Sequence, residues 1–154
     1  MTQSKKRSLF SPEVYQDCLN RIERLAPETT PEWGSMTAAQ MLSHCAEIQD
    51  VSNGKELKNT PILIKLLKGM VRNMVVGEKP FPKNSKTHPQ YKQTSDRNFE
   101  TEKERLLHAL EVFVNADKER AVQQIHPLFG EMTAEEKGWS MYKHLNHHLT
   151  QFGV

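Results

Sequence analysis

Four stretches of the chain repeat apolar residues at helical spacing, and this periodicity constrains the fold more than any other feature of the sequence. The stretches span residues 12 to about 25, 37 to about 53, 95 to about 116 and 133 to about 152. Strict alternation of apolar and polar residues, which is typical of a half-buried strand, occurs nowhere. The sequence therefore predicts an all-α fold with four long helices.

The starts of two of these helices are marked by capping boxes. Thr37 is followed three residues later by Gln40, and Thr133 is followed at the same distance by Glu136. In such a pair the hydroxyl and the longer side chain each satisfy a backbone N–H group that the first helical turn leaves unpaired. Pro12, directly after Ser11, marks the first helix, because proline is favoured at the first helical position. We therefore expect these three helices to begin at those positions.

A long stretch between the second and third predicted helices bears on how the helices are arranged. Residues 61–75 carry apolar side chains at helical spacing together with Lys65, Lys68 and Arg72, and residues 77–92 are rich in proline. The whole stretch is long enough to connect two parallel helices. The predicted fold is thus a four-helix bundle with a long crossover that carries a short extra helix. We expect residues 61–75 to pack on the bundle with the basic side chains in water, while a membrane-surface role is the alternative.

Length and composition narrow the class of protein. The chain has 154 residues, which predicts a single domain over residues 1–154 with residues 1–10 as a flexible tail. A net charge of +2 does not favour nucleic acid as a partner. No apolar run is long enough for a signal peptide or a membrane span, so the expected location is the cytoplasm. We also expect buried, reduced Cys18 and Cys45 and no membrane partner, and a homodimer is left open.

Three of the seven histidines are grouped in the segment KHLNHHL of the last predicted helix. His144 and His148 are four residues apart, so their side chains project side by side from the edge of the apolar face. His147 lies about 100° from His148 around the helix, and we expect it to point outward. A histidine pair at this spacing is suited to binding one metal ion, because both imidazoles can reach it. The other interpretation is a pair of core histidines that bond to carbonyl or carboxylate oxygens.

His44 is the natural third ligand, since it lies at the edge of the apolar face of the second predicted helix. Its depth in that helix matches the depth of His144 and His148 if the two helices are antiparallel. His126 is a candidate fourth ligand, although its position favours a role in the loop before the last helix. His88 and His108 carry no such signal, and we expect them at the surface. The predicted metal ligands are therefore His44, His144 and His148.

The segments that contain these histidines resemble motifs of a known family. Residues 33–44, WGSMTAAQMLSH, resemble the second-helix motif of the DinB/YfiT-like metalloenzymes, and residues 144–151, HLNHHLTQ, resemble the closing helix of that family. The block HPLFGEMT at residues 126–133 is similar to an uncharacterised branch of the same superfamily. The resemblance implies a four-helix bundle in which His44, His144 and His148 bind zinc, nickel or a similar divalent ion. It also implies a link to transferases that use a low-molecular-weight thiol, although no thiol-binding pocket is recognisable in the sequence.

Three functions remain open on these observations. The first is a metal-dependent transferase that joins a thiol to a small electrophilic substrate. The second is metal-assisted hydrolysis, in which Glu47, near His44 on the same helix, would act as a base. The third is a non-catalytic bundle with a structural metal. Gln151, one turn after His148, is expected to support the site through a hydrogen bond.

Overall fold

The computed structural model describes residues 6–116 and 118–154, and helices are the only regular elements within those residues. An isolated bridge between His126 and Gly130 is the sole strand-like pairing there. A short 3₁₀ turn spans Pro89–Tyr91. The α-helices are α1 (Pro12–Glu23), α2 (Ala38–Ser52), α3 (Ile62–Leu66), α4 (Lys68–Val76), α5 (Phe99–Asn115), α6 (Lys118–Gln123) and α7 (Ala134–Gln151). The all-α prediction is confirmed for the part of the chain that the structure describes.

Both predicted capping boxes are present. The Thr37 hydroxyl accepts a hydrogen bond from the backbone N–H of Gln40, and the Gln40 side chain accepts one from the N–H of Thr37. Thr133 and Glu136 make the same reciprocal pair at the start of α7. These boxes fix where the two helices that carry the candidate ligands begin.

The helix predicted to begin near Ser95 begins four residues later, at Phe99. The side chain of Asn98 accepts a hydrogen bond from the backbone N–H of Thr101 and caps the first turn of α5. Asparagine is among the strongest helix caps, so the observed start has a clear physical cause. The Ser95 carbonyl instead accepts a hydrogen bond from Gln40.

Hydrogen bonds at both ends of α2 show that α2 and α5 run in the same direction. Gln40, in the first turn of α2, binds Ser95 just before α5, and Asn53, at the end of α2, binds the carbonyl of Ala109 late in α5. Residues 54–98 therefore connect the end of one helix to the start of a parallel neighbour. A connection between parallel helices is what the predicted crossover requires.

Helices α2 and α7 run in opposite directions. Gly34, shortly before α2, lies against Gln151 at the end of α7. Gly54, shortly after α2, lies against Gln124, whose carbonyl binds Lys137 near the start of α7. The antiparallel arrangement that the depth of His44 required is therefore present.

The core is formed by apolar residues of α1, α2, α5 and α7, and it also includes a residue from the predicted tail. Leu9 is fully buried, and its backbone N–H donates to the carbonyl of Gly138. Phe10 stacks on Phe113 with 4.6 Å between ring centroids. Cys18 and Cys45 are buried free thiols, as expected. Packed structure thus begins before α1, within residues assigned to the tail, while residues 1–5 of that tail lie outside the described residues.

The segment predicted as one helix over residues 61–75 differs most from expectation. It forms two helices, α3 and α4, and the large apolar side chains that were expected to pack on the protein are exposed, namely Ile62, Leu63, Leu66, Leu67, Met70 and Met74. Arg72, expected in water, instead makes an ion pair with Glu136 of α7. The amphipathic pattern predicted helical structure correctly but assigned the wrong face to the protein.

Two buried lysines of α7 bind the ends of short helices. Lys143 Nζ donates to the carbonyls of Met74 and Gly77 at the end of α4, at 2.6 and 2.8 Å. Lys137 Nζ donates to the carbonyls of Ala121 and Gln124 at the end of α6, a helix that the sequence did not predict. A cation at this position stabilises a helix, because the last carbonyls are unpaired and carry partial negative charge.

None of the helices in the described part of the chain combines the length and the apolar character that a transmembrane helix requires.

Candidate metal centre

The structure brings His44, His144 and His148 together. One ring nitrogen of each lies within 4.8 Å of the others, and the Nε2 atoms of His44 and His144 are 3.1 Å apart. The ring of His148 is 4.7 Å, between centroids, from each of the other two. His44 and His148 are buried, whereas His144 is partly exposed. We call these three residues the histidine cluster.

The histidine cluster follows from local structure. In α7 the spacing of four residues places His144 and His148 on the same side of the helix, as predicted. Because α2 runs antiparallel to α7, His44 lies level with them. The sequence therefore predicted correctly which three of the seven histidines meet.

Hydrogen bonds outside the cluster set the orientation of His44. Its Nδ1 lies 2.8 Å from the backbone carbonyl of Tyr91, in the 3₁₀ turn. A carbonyl oxygen can only accept, so Nδ1 carries the hydrogen and Nε2 directs a lone pair at the cluster. Sequence reasoning missed this partner, since a backbone carbonyl in a loop has no side-chain signature.

His148 is held in the same way. Its Nδ1 lies 2.8 Å from Oε1 of Gln151, and Nε2 of Gln151 donates to the Trp33 carbonyl at 2.7 Å. The second bond fixes which end of the Gln151 amide faces the imidazole. Nδ1 of His148 is therefore the donor, and its Nε2 has a free lone pair. The supporting role predicted for Gln151 is present as a hydrogen bond, and such outer partners commonly orient metal-binding histidines.

Burial makes all three histidines difficult to protonate. Burial lowers the pKa of His44, and the hydrogen bond to Tyr91 offsets only part of that effect. Burial and then the neighbouring His148 and His44 lower the pKa of His144 well below its ordinary value. Burial and the nearby His44 lower the pKa of His148 to about 3. At neutral pH the cluster therefore consists of uncharged imidazoles, the form that binds metals.

The donor set fits a divalent transition-metal ion. Zinc at about 2.0–2.1 Å from each nitrogen in a tetrahedral site would place those nitrogens about 3.3 Å apart, close to the 3.1 Å between His44 and His144. The cluster contains imidazoles and no carboxylate. Imidazole suits zinc, nickel and copper better than calcium or magnesium, which prefer oxygen ligands. The three histidines could thus hold one such ion and leave further coordination positions for a small molecule.

Aromatic side chains lie next to the histidine cluster and to His147. Phe81 makes edge contacts with His144 and His147, and Trp33 makes one with His147. His147 lies outside the three-histidine group and contacts these rings instead, in accord with its predicted outward direction. The ammonium of Lys83 lies 4.4 Å from the centre of the Trp33 ring. Neither Phe81 nor Trp33 was identified as a site residue from the sequence.

Glu47, one turn from His44 on α2, is occupied by other partners. Its carboxylate binds Lys55 at 2.7 Å and Gln90 at 2.9 Å, and it also pairs with Arg105. Burial alone would raise the pKa of Glu47, but these three hydrogen bonds outweigh burial and lower it. A carboxylate stabilised in its charged form is a poor proton acceptor. The geometry does not favour Glu47 as a base.

The remaining histidines have structural positions. Nδ1 of His126 accepts hydrogen bonds from the backbone N–H groups of Leu128 and Phe129, so His126 organises its loop, as expected. His108 is exposed, as predicted. His88 is buried, however, with hydrogen bonds to Thr60 and Gln90, so its surface assignment was wrong. The alternation of apolar residues that marks buried positions is absent around His88, which explains the error.

The chain was compared with known families and proteins. A family model described as Protein of unknown function (DUF1569) matches residues 3–153, nearly the whole chain. No curated protein and no solved structure matches it.

Proposed function

Since the chain belongs to the DUF1569 family of proteins of unknown function, we propose its function from the site itself: it holds one divalent metal ion, zinc or nickel, through His44, His144 and His148. The convergence of three ring nitrogens within 4.8 Å carries the proposal. The hydrogen bonds that His44 Nδ1 donates to the Tyr91 carbonyl and His148 Nδ1 donates to Gln151 Oε1 support it, because they leave the Nε2 atom of each ring without a hydrogen and able to bind an ion. A pair of core histidines bonded only to protein oxygens would not bring three ring nitrogens this close together.

We further propose that the chain is a DinB-like protein in which α1, α2, α5 and α7 form a four-helix bundle. The antiparallel α2 and α7 and the parallel α2 and α5 are compatible with a bundle that contains one crossover. The positions of the three histidines on the second and last long helices support the same relationship.

The activity that we propose is transfer of a low-molecular-weight thiol to a small electrophile. A divalent ion in the site would lower the pKa of a thiol bound at its free position, which makes the thiol a better nucleophile at neutral pH. The thiol sulfur would form a bond to an electrophilic carbon, and the leaving group would depart with the bonding electron pair. We place the entry of small molecules beside His144, because it is the one member of the cluster that is partly exposed, and Phe81 contacts its ring. Phe81 and Trp33 supply apolar surface for the substrate.

Metal-assisted hydrolysis is the second candidate. The environment of Glu47 argues against the version of this mechanism in which Glu47 acts as the base. That mechanism required Glu47 as a base, yet Lys55, Gln90 and Arg105 keep its carboxylate charged and bound. A non-catalytic structural metal is the third candidate. The partial exposure of His144 favours a reactive site over a sealed one.

The experiment that tests the proposal is metal analysis of protein purified without an affinity tag, followed by a thiol-transfer screen with and without the bound metal. We expect one equivalent of zinc or nickel and transfer activity that is lost on chelation and restored by the metal. If the protein binds one equivalent of metal but shows no transfer activity, the metal-binding proposal stands and the transferase proposal is overturned. Absence of metal binding in wild-type protein titrated with zinc and nickel would overturn both.

A further inference from the structure

Helices α3 and α4 present a strip of apolar side chains to solvent. Four of them are spaced four residues apart and therefore lie along one side of the segment. Their exposed fractions range from 39 to 74 %, for Ile62, Leu63, Leu66, Leu67, Met70 and Met74. We call these six residues the apolar strip. Isolated exposed apolar residues are ordinary, but a contiguous group of six indicates a binding surface.

The outward orientation of the apolar strip is fixed by polar contacts on the other side of α4. Arg72 binds Glu136 of α7 through both carboxylate oxygens at 3.0 Å. Lys143 binds the Met74 and Gly77 carbonyls, and the Trp139 indole donates to the same Gly77 carbonyl at 3.2 Å. With these polar groups directed at the protein, the strip cannot turn inward without breaking several hydrogen bonds.

The chain segment that carries the apolar strip has an excess of positive charge. Residues 57–77 contain four basic residues and no acidic residue. Arg72 is paired with Glu136, and Lys58 with Glu56. Lys65 and Lys68 lie within the strip itself and are exposed. The surface that covers the strip must therefore accept both apolar side chains and positive charge.

We propose that the apolar strip docks on the surface of an anionic lipid bilayer, with α3 and α4 lying in the plane of the interface. Exposed leucine, isoleucine and methionine would enter the acyl boundary while Lys65 and Lys68 contact anionic headgroups, which is the mode of short amphipathic helices. A second copy fits less well, because a symmetric contact would bring the same positive charges together. The proposal departs from the sequence-based expectation of no membrane partner, and it is independent of the metal site.

Vesicle co-sedimentation of the full chain tests this docking. We expect binding to vesicles of phosphatidylcholine mixed with phosphatidylglycerol, and much weaker binding to phosphatidylcholine alone. Replacing both lysines, Lys65→Gln with Lys68→Gln, should weaken binding about 30-fold, or about fivefold per lysine. The matched control, Lys86→Gln with Lys118→Gln, removes the same charge from exposed positions elsewhere and should have little effect.

The apolar contribution is tested separately with Leu66→Gln and Met70→Gln together, against Val122→Gln and Ile125→Gln at exposed positions outside the strip. Only the first pair should reduce binding, and circular dichroism of each variant verifies that its helices are intact. Failure of the wild-type chain to bind anionic vesicles would overturn the proposal without any variant. So would equal losses in strip and control variants, or a dimer in solution that the Leu66 and Met70 changes dissociate.

Discussion

Two groups of polar side chains meet at α2 about one turn apart, one around Glu47 and one around His44, and they differ in how charge is distributed. Around Glu47 the charges of Arg105, Lys55 and Asp50 are matched, and each carboxylate has a partner within hydrogen-bonding distance. We call these four residues the charge network. Around His44 the histidine cluster contains only uncharged imidazoles and no acidic group.

The difference separates a structural group from a ligand site. In the charge network each charged group pairs with a group of opposite sign from the protein itself. In the histidine cluster Tyr91 and Gln151 accept the outer hydrogens of His44 and His148, while one ring nitrogen of each of the three histidines faces the other two. A polar group completed from within stabilises the fold, whereas ring nitrogens that face one another can hold an ion between them.

The largest expected effect is on metal affinity when a ligand is removed. His148→Ala should weaken zinc binding by more than 100-fold, since loss of a ligand should exceed the 10- to 100-fold cost of losing its outer partner. A competition titration with a chromophoric chelator measures the affinity. His147→Ala is the matched control from the same helical turn, and it should change the affinity little. Similar losses in the two variants would mean that the wrong side of α7 had been chosen.

The second effect is on stability and belongs to the charge network. Glu47→Ala should lower the free energy of unfolding by about 2 kcal/mol, because it removes charge-assisted hydrogen bonds to Arg105 and Lys55, although Arg105 keeps its ion pair with Asp50. Urea denaturation measures this change, and Glu104→Ala, an exposed position on α5, serves as control. Zinc stoichiometry should stay at one, as no ligand atom is altered. If Glu47→Ala lost metal but kept its free energy of unfolding, Glu47 would belong to the metal site and not to a structural network.

A smaller effect is expected from the hydrogen bond that orients His148. Gln151→Leu removes the acceptor of the His148 Nδ1 hydrogen and should weaken zinc binding 10- to 100-fold, or about 1.4–2.8 kcal/mol. The same chelator titration applies, with Gln123→Leu at an exposed position as control. An unchanged affinity would show that Gln151 supports the loop at Trp33 and not the site.

The smallest expected effect is on the free energy of unfolding at acidic pH. Burial and the nearby Lys137 lower the pKa of His126 to about 4, against an ordinary value of about 6.5. The unfolded chain therefore binds a proton first, and stability falls as pH drops through 6.5 and continues to fall until about pH 4. Between pH 6.5 and 5.5 this group should cost about 1 kcal/mol. Urea titrations of metal-free protein at both pH values should show a smaller difference for His126→Asn; an equal difference would contradict the assignment.

The sequence predicted best what local chemistry determines. The capping boxes at Thr37 and Thr133 set the starts of α2 and α7, the two helices that carry the histidine cluster. The four-residue spacing placed His144 beside His148. The prediction that His44 lies at the same height as this pair needed one further assumption, that α2 runs antiparallel to α7. Local pattern and a single topological choice were enough to bring the three histidines together.

What the sequence could not predict depends on contacts between distant segments. The support of His44 comes from the backbone of Tyr91, and any residue type at that position offers the same carbonyl. The pattern in residues 61–75 was correctly interpreted as helical, but an amphipathic pattern does not state which face meets the protein. Arg72 faces inward only because Glu136 of α7 is there to receive it. The partners of Glu47 likewise come from α5 and from the two ends of the crossover, at Lys55 and Gln90.

The two lysines of α7 that bind the ends of α4 and α6 have a consequence for the order in which the molecule assembles. Helices of six and nine residues are too short to persist alone in water. Their last carbonyls are satisfied by Lys143 and Lys137, which reach them only once α7 is formed and in place. Stable formation of α4 therefore depends on α7. We expect residues 68–76 to become ordered only when the final helix, about seventy residues later in the sequence, packs beside them.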